Sequence, residues 1–356
     1  LHSSFQVNGG NEVPQGYPEF FRVRSIDDAR QLAAYYADAG TGFLKIYSEL
    51  SPEAYRNLAV QARAHGLSIA GHRPLGVSLP GLISTGQRSV EHPRLFLLEC
   101  YRGANGLRAL PDPLGAFTMD LRRQLVQGHD TYACAELMAL MAGAQTAWVP
   151  TMQVLAMSAR ARDSDFRDDP RLKYIPWPIQ AGMWMPDADN AARKSALPGH
   201  ARTFEQLYQL AQRNLVDAHA AGVEILVGTD AGDTYIFPGF SVHDELREFV
   251  EAGISAADTL RLATLGAAVF SGLEQEYGSI AEGKAADILL LNENPLENIQ
   301  ATRNIHALLF NGQFFSRAAL DELLNFAGQQ ARSIQFNLKL LWSLVSSPIV
   351  RVQFAD

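Results

Sequence analysis

Short apolar runs alternate with segments of helical periodicity along most of this chain. The stretch SIDDARQLAAYYADAG opens on a serine cap with an acidic first turn, carries apolar residues at helical spacing and stops at Gly40. GFLKIYSEL follows as a short apolar run that reads as a strand. SPEAYRNLAVQARAHG is the next helix, with a Ser-Pro-Glu start and a glycine stop, and LSIAGH is the next strand. This order predicts parallel βαβ units. Strands are expected over residues 1–7, 43–47, 68–72, 88–92, 147–151 and 223–229, the last within VEILVGTDAG. Residues 155–200 are rich in charge, proline and tryptophan, and their periodicity is weak. They are expected to form a mobile cover, because loops of that length usually serve function.

From Tyr277 the texture changes. YGSIAEGKAADILLLNENPLENI and IHALLFNGQFF alternate strand and turn with no helix between them. The reading is a barrel-type domain over 1–275, half of a small β-sandwich over 276–316, and a helical tail over 317–356. The tail segment SIQFNLKLLWSLV is apolar but contains Asn337 and Lys339, and it is too short to span a bilayer. It is expected to pack on the body or on a partner subunit in a homo-oligomer.

The chain has 356 residues, 47% of them hydrophobic, which is enough for a large core. A net charge of −8 and the lack of a basic cluster argue against nucleic acid as a partner. Cys100 and Cys134 are too few for a disulfide framework, are not spaced as a metal pair, and leave the compartment undecided.

Candidate chemistry gathers at the ends of the expected strands. LSIAGH ends on His72 and RSVEH ends on His92. Parallel strands of one barrel would deliver both imidazoles to the same open end, where such barrels carry their chemistry. Two neutral imidazoles supply half of a metal site. Lys45 lies inside FLKIY, where burial favours the neutral amine. A neutral amine can form a Schiff base with a carbonyl or take up carbon dioxide as a metal-bridging carbamate. Asp230 closes VEILVGTDAG and reads either as a turn residue or as a carboxylate that moves protons.

With these residues in place, the chain resembles the amidohydrolase superfamily, in its imidazolonepropionase-like and prolidase-like branch. The matching pieces are FLKIYSEL, AGHRP, SVEHP, VPTM, ILVGTDAG and the closing GSIAEGKAADILLLNENPLENI with HALLFNG. The resemblance implies a TIM-like (β/α)8 barrel with part of a β-sandwich. It implies a zinc-type site of one or two divalent ions held by carboxylated Lys45, His72, His92 and Asp230. It further implies attack of a metal-bound hydroxide on an amide-type carbonyl of a cyclic amide or dipeptide, with Asp230 as general base. Arg73 and His243 are candidate substrate contacts, and His65, His200, His219 and His306 are read as structural.

The chain departs from that family at one point. The family's first strand ends in a His-x-His pair, and no His-x-His occurs here. The barrel is therefore expected to be incomplete at its front, with a fragment of a longer protein favoured over a degenerate, non-catalytic homologue. A metal-free Schiff-base enzyme using Lys45 is the other alternative. No run of 18 apolar residues suggests a membrane span.

Overall fold

The computed structural model describes residues 2–10 and 12–347. Local sequence sets the helix boundaries. Helix Ile26–Asp38 starts with a capping box, in which Ser25 accepts from Asp28 N–H and the Asp28 carboxylate accepts from Ser25 N–H. Helix Pro52–Ala64 starts with Ser51 accepting from Ala54 N–H and with proline in its first turn. Gly66, at φ 71°, ends that segment in the left-handed region.

The chain divides into two compact units. One is built on the residues up to Val149 together with 217–224, the other on 150–216 and 225–342.

The first unit carries five parallel strands: β1 (Ser3–Val7), β2 (Phe43–Ile46), β3 (Ser68–Gly71), β4 (Ser89–Glu91) and β5 (Ala147–Val149). They lie side by side in chain order with helices between them, the arrangement expected of an α/β barrel-type sheet. Among the described residues no strand pairing closes the sheet. Its core includes Leu44, Ile46, Leu58, Val90 and Trp148, all fully buried.

The strand expected over 223–229 forms no ladder among the described residues. Trp148 N–H donates to the Glu224 carbonyl at 2.8 Å, so the run does approach β5. The next N–H on that side of β5 would come from position 150, which is a proline and has none to give.

Cys100 and Cys134 form a disulfide with Cα atoms 4.7 Å apart, a pairing the sequence reading did not anticipate. It ties the end of helix Arg94–Glu99 to helix Thr131–Ala142.

The second unit holds an antiparallel sheet of β6 (Ile288–Leu291), β7 (Ile305–Phe310) and β8 (Gln313–Ser316), followed by helices Arg317–Arg332 and Ile334–Ser346. Residues 155–200 are not a loop, contrary to expectation. They form a series of short helices ending in helix Met185–Ser195. The physical reason is apolar burial: Ile175, Trp184 and Ala188 share a core cluster with Tyr235 and Phe237. Asn337 in the apolar tail is buried, and its amide donates to the carbonyls of Ala331 and Ser333 at 2.9 and 2.7 Å. A polar side chain there is thus satisfied locally.

Candidate metal centre

Three strand ends of the first unit assemble the site. Lys45 of β2 is level with Ala70 of β3, and Gly71 is level with Val90 of β4. Two-residue alternation then puts Lys45, Ser89 and Glu91 on one face of the sheet. The contact follows: Lys45 Nζ donates to Glu91 Oε2, and both side chains are about four-fifths buried.

The two histidines reach that face through non-extended backbone. Gly71 sits at φ 121° and His92 at φ 75°. Gly71 also allows close approach, since a Cβ there would lie 2.4 Å from the Ile46 carbonyl oxygen. The left-handed turn at His92 breaks the alternation, so that Glu91 and His92, although adjacent, both face His72. His72 Nε2 and His92 Nε2 lie 2.8 Å apart, and His72 Nε2 is 3.8 Å from Glu91 Oε2. One donor atom from each of His72, Glu91 and His92 falls within 4.8 Å of the other two.

Neighbouring groups fix the rings. Ser48 Oγ meets His72 Nδ1 at 2.9 Å, which orients the ring and leaves Nε2 toward Glu91 and His92. Tyr47 stacks on His72 with ring centroids 3.9 Å apart. Gln87, fully buried, donates to the His72 carbonyl at 3.1 Å, and its own oxygen accepts from Tyr55. The Trp148 indole N–H donates to the His92 carbonyl at 3.0 Å. Burial holds both imidazoles neutral. It depresses His72 well below the ordinary histidine range, helped by His92, Arg94 and Lys45, and lowers His92 to about 3, helped by Arg94 and Lys45. A cavity of about 20 Å³ adjoins Ser48, His72, Glu91 and His92.

These residues fit a small divalent cation. Neutral imidazole nitrogens and a carboxylate form a zinc-type donor set, and ligands 2.0–2.2 Å from a tetrahedral ion stand about 3.3 Å apart. The observed separations bracket that spacing.

The remaining candidates lie elsewhere. Arg73 is buried and meets a carboxylate of its own chain: Glu99 Oε1 lies 3.3 Å from Arg73 Nη1 and 2.7 Å from Arg108 Nη1. Asp230 belongs to the second unit, is exposed and takes φ 61°, with its carbonyl accepting from Asp233 N–H at 3.1 Å. His243 is also in the second unit, where its Nδ1 lies 3.0 Å from Thr302 Oγ1. Burial, reinforced by Arg303, holds it below the usual histidine range. Sequence reasoning missed Glu91 and Ser48. The signal for Glu91 was present in the strand parity that aligns it with Lys45 once the register is known.

Comparison with known proteins agrees with this geometry. Residues 177–315 match the Amidohydrolase family, so the chain carries an amidohydrolase-family domain. No curated protein sequence matches. Among solved structures, the chain is similar to bottromycin amidohydrolase, with a TM-score of 0.71 at 22% identity over 93% of this chain and 67% of that one. It is similar to a Xaa-Pro dipeptidase solved with methionine in its active site, with a TM-score of 0.53 at 17% identity over 88% and 66%. It is also similar to a putative prolidase from Bifidobacterium longum, with a TM-score of 0.51 at 21% identity over 91% and 68%. The chain thus spans about two thirds of the length of these structures, and the likeness is one of fold.

Proposed function

We propose that this chain, with its amidohydrolase-family domain, is a metal-dependent hydrolase of amide-type C–N bonds. The observation that carries the reading is the meeting of His72, Glu91 and His92 at the ends of adjacent parallel strands. Zinc is the proposed ion, held by His72 and His92 with an oxygen donor from either a Lys45 carbamate or Glu91. When bound, it would polarise the scissile carbonyl and lower the pKa of water.

The chain's own groups prepare that chemistry. Ser48 holds the His72 tautomer through Nδ1, and Trp148 and Gln87 anchor the two histidine backbones. Asp230 is the proposed proton acceptor, on the strength of its place after a buried apolar run in VEILVGTD. The proposed substrate is a dipeptide or small cyclic amide. This is supported by neighbours that are themselves described as a Xaa-Pro dipeptidase and a prolidase. Arg73 has no assigned part in substrate binding, because Glu99 engages its guanidinium.

The test is hydrolysis of dipeptide and lactam panels by zinc-loaded chain. Turnover is expected, with His92→Ala lowering kcat/KM by about 100-fold or more and Asp230→Asn lowering kcat. Zinc-loaded chain that cleaves no C–N bond would overturn the reading.

A further inference from the structure

We infer that Glu91 is the third protein ligand of this metal site, and that Lys45 serves as its ammonium partner rather than as a carboxylated ligand. The inference rests on the metal-centre reading and assigns the oxygen donor that reading left open.

Three observations carry it. Lys45 Nζ is engaged with Glu91 Oε2, and carbamate formation needs an amine lone pair that an ammonium donating to a carboxylate does not offer. Glu91 Oε2 already lies 3.8 Å from His72 Nε2, within the spacing of two ligands on one ion. The left-handed turn at His92 brings a residue adjacent to Glu91 in sequence onto the same centre, so one strand end supplies two donors. The resulting donor set is two neutral imidazoles and one carboxylate. An open position then remains for water or substrate in a four-coordinate ion. The nearby ammonium offsets the charge of a half-buried carboxylate before the ion enters. Charge is thereby compensated at every stage of loading.

The test uses the full chain and cobalt(II) as probe, with no substrate. The parent, Glu91→Gln and Lys45→Met are titrated while the cobalt d–d absorption is followed, in buffer freed of carbon dioxide and again with ¹³C-bicarbonate. Carbamate is monitored by ¹³C NMR. Glu91→Gln is expected to lose more than about 100-fold in cobalt affinity, beyond the 10–100-fold that partners outside the coordination sphere produce. The parent is expected to bind equally with and without bicarbonate and to show no carbamate signal. A carbamate signal that rises with cobalt, or Glu91→Gln binding within tenfold of the parent, overturns the inference. The bicarbonate and NMR arms use only the unmodified chain, so the outcome stands even where Glu91→Gln fails to fold. Since no substrate is present, failure here leaves the hydrolase reading to its own assay. A chain that binds cobalt through Glu91 yet cleaves no amide counts against the hydrolase reading alone.

Discussion

Replacing Gly71 with alanine probes how the site is built. Gly71 is the last residue of β3, at φ 121°, and it directly precedes His72. A Cβ added there would lie 2.4 Å from the Ile46 carbonyl oxygen, 3.0 Å from Ile46 N and 3.2 Å from Lys45 Cδ. The two closest atoms are backbone of the neighbouring strand and cannot rotate away. Backbone strain at positive φ costs about 1–3 kcal/mol. Forcing the strands apart costs about 1–3 kcal/mol more. The expected loss of stability is thus about 2–6 kcal/mol. Gly66 is the control, because it too has positive φ, 71°, but an added Cβ would meet nothing within 4 Å. Gly66→Ala should therefore show only the left-handed penalty of about 1–2 kcal/mol. Both are read by urea unfolding followed by tryptophan fluorescence, with changes in midpoint compared at constant slope. Gly71→Ala should also weaken cobalt binding, because His72 moves with it. A Gly71→Ala variant within about 1 kcal/mol of Gly66→Ala would refute the close-approach reasoning.

Glu99→Gln should destabilise the chain by about 3–5 kcal/mol in the same assay, since it leaves buried Arg73 without its counter-charge; a change under 1 kcal/mol would show the pair to be dispensable. Breaking the Cys100–Cys134 bond, 34 residues apart, should cost about 3–4 kcal/mol from loop entropy, seen as a lower Tm for Cys134→Ala or after reduction. An unchanged melt would mean that the bond does not form in solution. Glu245 is fully buried and accepts from Met152 and Gln153 N–H at 2.7 and 3.1 Å, and burial pushes its carboxyl up to about 8. A carboxyl raised in the fold binds more protons there than when unfolded, so its contribution is complete below pH 4.5 and is lost as pH rises to about 8. The loss amounts to as much as about 5 kcal/mol at 1.36 kcal/mol per pKa unit. The stability difference between parent and Glu245→Gln should shift by that sign across the window, and a flat difference from pH 5 to 8 would contradict it.

The helices and strands around the site were legible in the sequence because their determinants are local. Ser25 with Asp28, and Ser51 with Pro52, specify helix starts within a few residues. Runs such as FLKI and SIAG declare buried strands without reference to anything distant. His72 and His92 were legible as strand-end residues for the same reason. Glu91 was not, because its alignment with Lys45 depends on the β2–β3–β4 register and on left-handed backbone at His92, neither of which is written locally. Residues 155–200 read as an open segment because their apolar partners, Tyr235 and Phe237, lie far along the chain. Arg73 read as a ligand-facing arginine because the carboxylate that binds it, Glu99, lies on another helix. The cysteine pair was likewise undecidable, since 34 residues of chain permit closure without requiring it. Spacing within a run decides secondary structure here, whereas partners across long separations decide which polar groups meet, and those meetings are fixed only when the core packs.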